Sequence, residues 1–246
     1  MSGHNKWSTI KHKKGAADAK RSKIFSKIVK EIQVAVKESG ADPDGNPRLR
    51  LAIQNAKGVS MPKDNIERAI KGSKDKDAGS FLELTYEGYL PNAVAVFIEC
   101  TTDNQQRTVS NIRSVFNKYN GNLGTNGSLS FLFDRKGVFS IPMANYNADE
   151  HELELIDAGA EEIDHEDEYI TVTTAMEDFG QMQKKLEELG IVAENAGLQR
   201  IPKDYVKLGR EETLKIMKVV EVFEDDDDVQ NVYHNLDIPD DLIDEM

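Results

Sequence analysis

From Gly15 to about residue 38 the apolar residues recur at helical spacing. At about 100° per residue, Ile24, Phe25, Ile28, Val29, Ile32, Ala35 and Val36 fall on one face, and Lys20, Lys23, Lys27 and Lys30 fall nearly opposite. One face is expected to pack and the other to present charge. The stretch ADPDGNP (41–47) is a turn by composition, and Asn46-Pro47 then supplies an N-cap followed by proline at the first helical position. Leu49, Ala52, Ile53 and Ala56 carry the spacing of a second helix that ends near Gly58. Pro62 opens a third, with Ile66, Ala69 and Ile70 inward and Gly72 closing it. Three short helices with one apolar stripe each bury those stripes against one another, so residues 15–72 read as a small helical domain.

Residues 73–80, SKDKDAGS, form a polar linker without periodicity, and beyond it the period changes to two. Strands are expected at 81–87 and 93–101, then a helix capped by Asp103 or Asn104 on which Val109, Ile112, Phe116 and Tyr119 align. LSFLF (129–133) alternates as a strand, which assigns Leu129, Phe131 and Phe133 to the core. A strand at 138–141, a helix around 149–158 ended by Gly159 and a strand near 161–164 follow. After these come a strand at 168–174, a helix around 176–189 ended by Gly190 and a strand near 192–201. That order is β-α-β-β-α-β, the ferredoxin-like plan. A helix at 211–223 and a strand at 229–234 are too small to fold alone and are expected to complete the earlier β-β-α-β piece. The predicted fold is α+β: an N-terminal three-helix domain with a basic arm (1–76), followed by two α/β domains. One is discontinuous (80–136 and 203–246), and the other, ferredoxin-like (137–202), is inserted into it.

Charge divides the chain more sharply than periodicity. The formal net charge is −13, yet residues 1–76 hold 18 Lys+Arg against 8 Asp+Glu, and the remainder holds 13 against 36. Charges beyond about one Debye length, roughly 8 Å in physiological salt, are screened, so the basic end attracts phosphates locally despite the sum. Lysines and arginines that neutralise phosphates release counterions, a mobile arm follows a groove, and Trp7 among lysines is suited to stack on an unpaired base. The acidic remainder, including Asp225 to Asp228, reads as a solvated surface that repels polyanions.

Other chemistry is sparse. Cys100 is the single cysteine and lies in an apolar strand, which fits a buried inert thiol and a reducing compartment. The five histidines lack metal-site spacing, so no metal or other cofactor is expected. NGNLGTNG (120–127) leads into a strand and lacks Gly-Lys-Ser/Thr, so it is a structural turn and not a phosphate cradle. No window approaches the roughly 20 apolar residues of a membrane span. The reading is a cytoplasmic, non-enzymatic, nucleic-acid-binding protein with no membrane or small-molecule partner.

The segments GHNKWSTIKHKKGAADAKRSKIFSKIVKEI, NPRLRLAIQNAK, MPKDNIERAIK, YEGY, ECTTDNQQRT and NGNLGTNGSLSFLFDRKG resemble the YebC/PmpR family throughout residues 2–137. The resemblance implies a three-domain cytoplasmic protein of the kind described as a probable transcriptional regulator that binds DNA. It also implies a second role: the family's mitochondrial member activates translation, and bacterial relatives are associated with the ribosome and with relief of stalling. Ribosomal RNA or tRNA is therefore the alternative partner to DNA. The family motif carries over onto Lys6, Trp7, Lys11, His12, Lys13, Lys14, Lys20, Arg21, Lys23, Arg48, Arg50, Lys63, Arg68 and Arg107, to which the charged helix face adds Lys27 and Lys30. The chain departs from the family after YEGY, where Leu90-Pro91-Asn92-Ala93 stands in place of a glycine-rich turn.

Overall fold

In the computed structural model, which describes residues 18–73, 81–166 and 168–243, the lysine-rich helix α1 runs Asp18–Ser39. Helix α2 is Pro47–Gly58 and α3 is Lys63–Gly72. Asn46 is buried and joins the first two: its Oδ1 accepts from Leu49 N at 3.0 Å, and its Nδ2 donates to Ala35 O and Gly40 O, each at 2.7 Å. One side chain thus caps α2 and closes the carbonyl end of α1. The described residues form two compact units, the first from 18–30, 81–134 and 202–243 and the second from 31–73 and 135–201. Helix α1 contributes residues to both.

In the first unit, β1 (Leu82–Leu90) and β2 (Val94–Thr102) pair antiparallel from Leu82↔Thr102 to Leu90↔Val94. Their connection holds Asn92 at φ 63° and Ala93 at φ 59°. This is the left-handed region that glycine occupies at least cost, so the departure from a glycine-rich sequence leaves a backbone shape normally given to glycine. Helix α4 (Gln105–Lys118) follows, with Asn104 as its N-cap, then β3 (Asn122–Leu123), whose two residues pair with Tyr89 and Gly88.

Residues 129–133 depart from the expected strand. The carboxylate of the buried Glu87 accepts from Gly127 N at 2.7 Å and Leu129 N at 2.6 Å, and Leu132 N bonds back to Leu129 O at 2.9 Å. The segment is therefore wound into turns up to the start of β4 at Phe133. Leu129 and Phe133 enter a small core with Ala95, Phe97 and Tyr233, whereas Phe131 is 64% exposed. Burial of alternate residues was correctly implied for two of the three, but turns achieve it here, not a ladder.

The second unit holds β4 (Phe133–Pro142) from Arg135 onward, α5 (Ala148–Asp157), β5 (Ala160–His165), β6 (Tyr169–Ala175), α6 (Phe179–Glu188) and β7 (Asn195–Pro202). The sheet order β5-β6-β4-β7, with β6 antiparallel to both neighbours, is the ferredoxin-like arrangement. Phe139, Ile141, Ile170 and Val172 of the sheet pack on Leu155 of α5 and on Met182 and Leu186 of α6. Helix α2 docks beside β7. Asn55 Nδ2 donates to Ala196 O at 2.8 Å while Ala196 N donates to Asn55 Oδ1 at 3.0 Å. A Cβ on Gly58 would lie 1.8 Å from Glu194 O, so only glycine fits there.

The first unit is completed by β8 (Val206–Lys207), α7 (Arg210–Glu224), β9 (Val229–His234), β10 (Leu236–Asp237) and α8 (Asp240–Ile243). Strand β9 pairs with β2, giving the order β3-β1-β2-β9, and β8 pairs parallel with β10. One sheet face buries Val94, Val96, Ile98 and Cys100 against Ile112 and Phe116 of α4 and Val220 and Phe223 of α7. No helix among the described residues is long and apolar enough to cross a membrane.

Candidate nucleic-acid interface

Lys23, Lys27 and Lys30 lie on one side of α1 because their spacings of four and three match the helical repeat. That side is occupied. Lys23 Nζ is 2.7 Å from Asp225 Oδ1 and 3.3 Å from Asp225 O. Lys27 Nζ donates to Glu224 O at 3.1 Å and to Gln230 O at 3.5 Å. Lys30 Nζ donates to Asp227 O at 2.6 Å, and to Thr101 O and Asp228 Oδ1 at 3.3 Å each. Most of the acceptors belong to the carbonyl end of α7 and the acidic turn that follows it; Thr101 O of β2 and Gln230 O of β9 are the others. A helix C-terminus carries partial negative charge, so three cations meet both a dipole and carboxylates. The expectation that Asp225 to Asp228 form a purely solvated surface is corrected: this turn binds the chain's own lysines.

Asp228 is the centre of the constellation. Its side chain is 3% exposed. It accepts from Arg107 Nε at 3.0 Å and Nη2 at 2.8 Å, from Thr108 Oγ1 at 2.9 Å and from Lys30 Nζ at 3.3 Å. Burial pushes its carboxyl pKa up, but the bonds from Arg107, Thr108 and Lys30 outweigh burial and hold it below the ordinary value. The Arg107 guanidinium is correspondingly held further into its charged form by Asp228 and Asp103. Arg107 also donates to Thr102 Oγ1 at 3.3 Å and Asp103 Oδ1 at 2.8 Å.

The other expected contacts on the helices are in the second unit. Arg48 pairs with Glu38 at 2.9 Å and Glu31 at 3.6 Å. Arg50 donates to the carbonyls of Pro43 and Asp44 at 2.8 and 3.2 Å. Lys63 is 3.7 Å from Glu67, and Arg68 donates to Asn65 Oδ1 at 3.2 Å. Lys63 and Arg68 are exposed, as are Arg21 of α1 and Lys57 and Lys71 of α2 and α3. Lys20 is on the first turn of α1, and its side chain is outside the described set. Lys6, Trp7, Lys11, His12, Lys13 and Lys14 lie outside the described residues.

The sequence singles out Lys23, Lys27, Lys30 and Arg107 but does not disclose Asp225 and Asp228 as their partners, nor Thr108 as a further donor to Asp228. The available signal was the placement of four aspartates directly after a long helix. Among the described residues no group of His, Cys, Asp and Glu is arranged to hold a metal ion. Burial pushes the Cys100 thiol up to about 12, which keeps it protonated.

The family model for the N-terminal domain of TACO1/YebC proteins matches residues 5–76, and that for the second and third domains matches residues 81–236. A relative from Amoebophilus asiaticus, named "Probable transcriptional regulatory protein", is 53% identical over 239 residues, covering 96% of this chain and 98% of its own length. One of the same name from Geotalea uraniireducens is 52% identical over 247 residues, covering all of both chains. The crystal structure of a conserved hypothetical protein from Aquifex aeolicus superposes with a TM-score of 0.83 at 42% identity, covering 94% of this chain and 96% of that one.

Proposed function

The chain belongs to the TACO1/YebC family, and from that premise we propose that it is a transcriptional regulator that binds DNA through its basic N-terminal region and performs no catalysis. Relatives matching over their full length carry the name of probable transcriptional regulatory proteins. The observation that carries the reading is the charge asymmetry, 18 Lys+Arg against 8 Asp+Glu in residues 1–76 of a chain with net charge −13. Such clustering gives phosphate contacts that set position and orientation without reading bases.

Two classes of contact follow from the side chains. Arg21, Lys57, Lys63, Arg68 and Lys71 are exposed. Lys23, Lys27 and Lys30 are held by residues 224–230 and Thr101, so a phosphate reaches them by exchange with those acceptors. The first class gives initial binding, and the second adds contacts only when the acidic turn is displaced.

The test is a salt titration of duplex binding. About five phosphate contacts give a slope of log K against log salt near −4. A slope near zero removes the electrostatic mechanism. Crosslinking in cells, followed by sequencing of the attached nucleic acid, is expected to return discrete promoter fragments. Predominantly ribosomal RNA would replace the transcriptional reading by a translational one.

A further inference from the structure

The side of the first sheet away from α4 and α7 has an unusual surface. Strand alternation places Tyr89 on the same face as Glu87, across from Ala95, and the turn segment 125–132 lies on this face through Leu129. Tyr89 is 38% exposed and Phe131 is 64% exposed, and they are the exposed aromatic side chains among the described residues. Tyr89 belongs to the face itself, and Phe131 to the segment that Leu129 and Phe133 anchor on it.

The surrounding chemistry narrows what such aromatics meet. In a chain with 44 Asp+Glu, residues 104–133 contain none, and residues 120–133 carry no charge of either sign. The loop instead offers Asn120, Asn122, Thr125, Asn126, Ser128 and Ser130. Glu87 is buried and spent on Gly127 N and Leu129 N, so it fixes the loop without facing outward, and Asp134, three residues beyond Phe131, is paired with Lys203 at 3.1 Å. Glu99 and Glu83 on the same face stand four and six residues along the register from Tyr89, about 13 and 20 Å away at the rise of a strand. An exposed aromatic side chain on a loop of amides and hydroxyls that carries no charged side chain of its own fits a flat heteroaromatic ring.

We propose that Tyr89, Phe131 and the loop 120–131 form a docking surface for unpaired nucleobases, with Phe131 as the stacking platform. The proposal rests on the reading that this protein binds nucleic acid, and it names the form of nucleic acid: a strand whose bases are free to leave the helix. The ring stacks on a base face, which every base has, while the amides and hydroxyls bond to base edges. The basic N-terminal region supplies phosphate affinity, and this face supplies preference for single-stranded or distorted segments.

The experiment uses the full chain and a labelled strand of about 15 nucleotides carrying 2-aminopurine, alone and as a duplex, in one buffer. Expected results are tighter binding to the single strand and quenching of 2-aminopurine on binding. Phe131→Ala is expected to weaken single-strand binding by about tenfold, with duplex binding within twofold and quenching lost, and Phe131→Tyr is expected to restore both. An equal loss on single strand and duplex, or no loss, overturns the proposal while leaving nucleic-acid binding in place. Failure of the unaltered protein to bind either form overturns this proposal together with the reading beneath it. Because Phe131 is exposed, circular dichroism of the variants is expected to match the parent.

Discussion

Arg107 and Asp228 meet through three hydrogen bonds of 2.8 to 3.0 Å, although they lie 121 residues apart in the chain. The fork of a guanidinium matches the two carboxylate oxygens, and Thr108 and Lys30 take up remaining acceptor capacity on Asp228. The pair therefore ties the start of α4 to the turn before β9. Asp228→Asn is expected to lower unfolding free energy by about 2 kcal/mol, the scale of a lost hydrogen bond to a buried charged group. The urea midpoint measures it, and an unchanged midpoint would show that the negative charge is not required.

The same carboxyl sets a pH dependence. Its pKa is lowered on folding, so its charged form is favoured in the native state. Its contribution is complete above the ordinary carboxylate value of about 3.9 and is lost as pH falls through the lower native value. The stability gap between parent and Asp228→Asn should stay constant down to about pH 4 and shrink below it. A gap that closes already near pH 6 would assign the dependence to another group.

Asp225 offers a test of exchange at the lysines. It is exposed and pairs with Lys23, so its contribution to folding is small. Asp225→Asn is expected to tighten duplex binding by about two- to fivefold, because a competitor for Lys23 is removed. Binding isotherms at fixed salt give the answer, and unchanged or weaker binding would remove Lys23 from the interface.

Ala93 bears a left-handed backbone at φ 59° in the β1–β2 connection. That conformation costs an L-residue about 1–2 kcal/mol, part of which glycine recovers and part of which it loses to unfolded-chain entropy. Ala93→Gly is expected to raise stability by about 0.5–1 kcal/mol, seen as a higher melting temperature. A lower one would show that the methyl group is needed.

Cys100 is buried in β2 with its thiol pushed up to about 12. Ellman's reagent at pH 8 should leave the native protein unmodified and titrate one thiol after denaturation. Rapid native reaction would contradict the burial.

Local rules reached far into this fold. Asn46 and Asn104 cap α2 and α4 as their types and positions implied. Gly159 at φ 99° and Gly190 at φ 70° follow α5 and α6, where helical periodicity ends. The six-element pattern after residue 137 emerged as the ferredoxin-like sheet. Local rules stopped where a distant side chain chose the structure. The alternation of Leu129, Phe131 and Phe133 satisfies a strand template, but Glu87, 40 residues earlier, supplies acceptors that bind Gly127 N and Leu129 N instead. Helical periodicity likewise placed Lys23, Lys27 and Lys30 on one side, yet it carries no information about the aspartates some 200 residues later that fill it.

The pairing of Asn55 with Ala196 has a consequence for colloidal behaviour. β7 is the last strand of its sheet, and an uncovered outer strand is a template for pairing with other chains. The Asn55 carboxamide occupies both the N–H and the C=O of Ala196, as a neighbouring strand would. A single amide on a helix thereby blocks strand addition at that residue, and its loss would leave both backbone groups of Ala196 open to pairing with another chain.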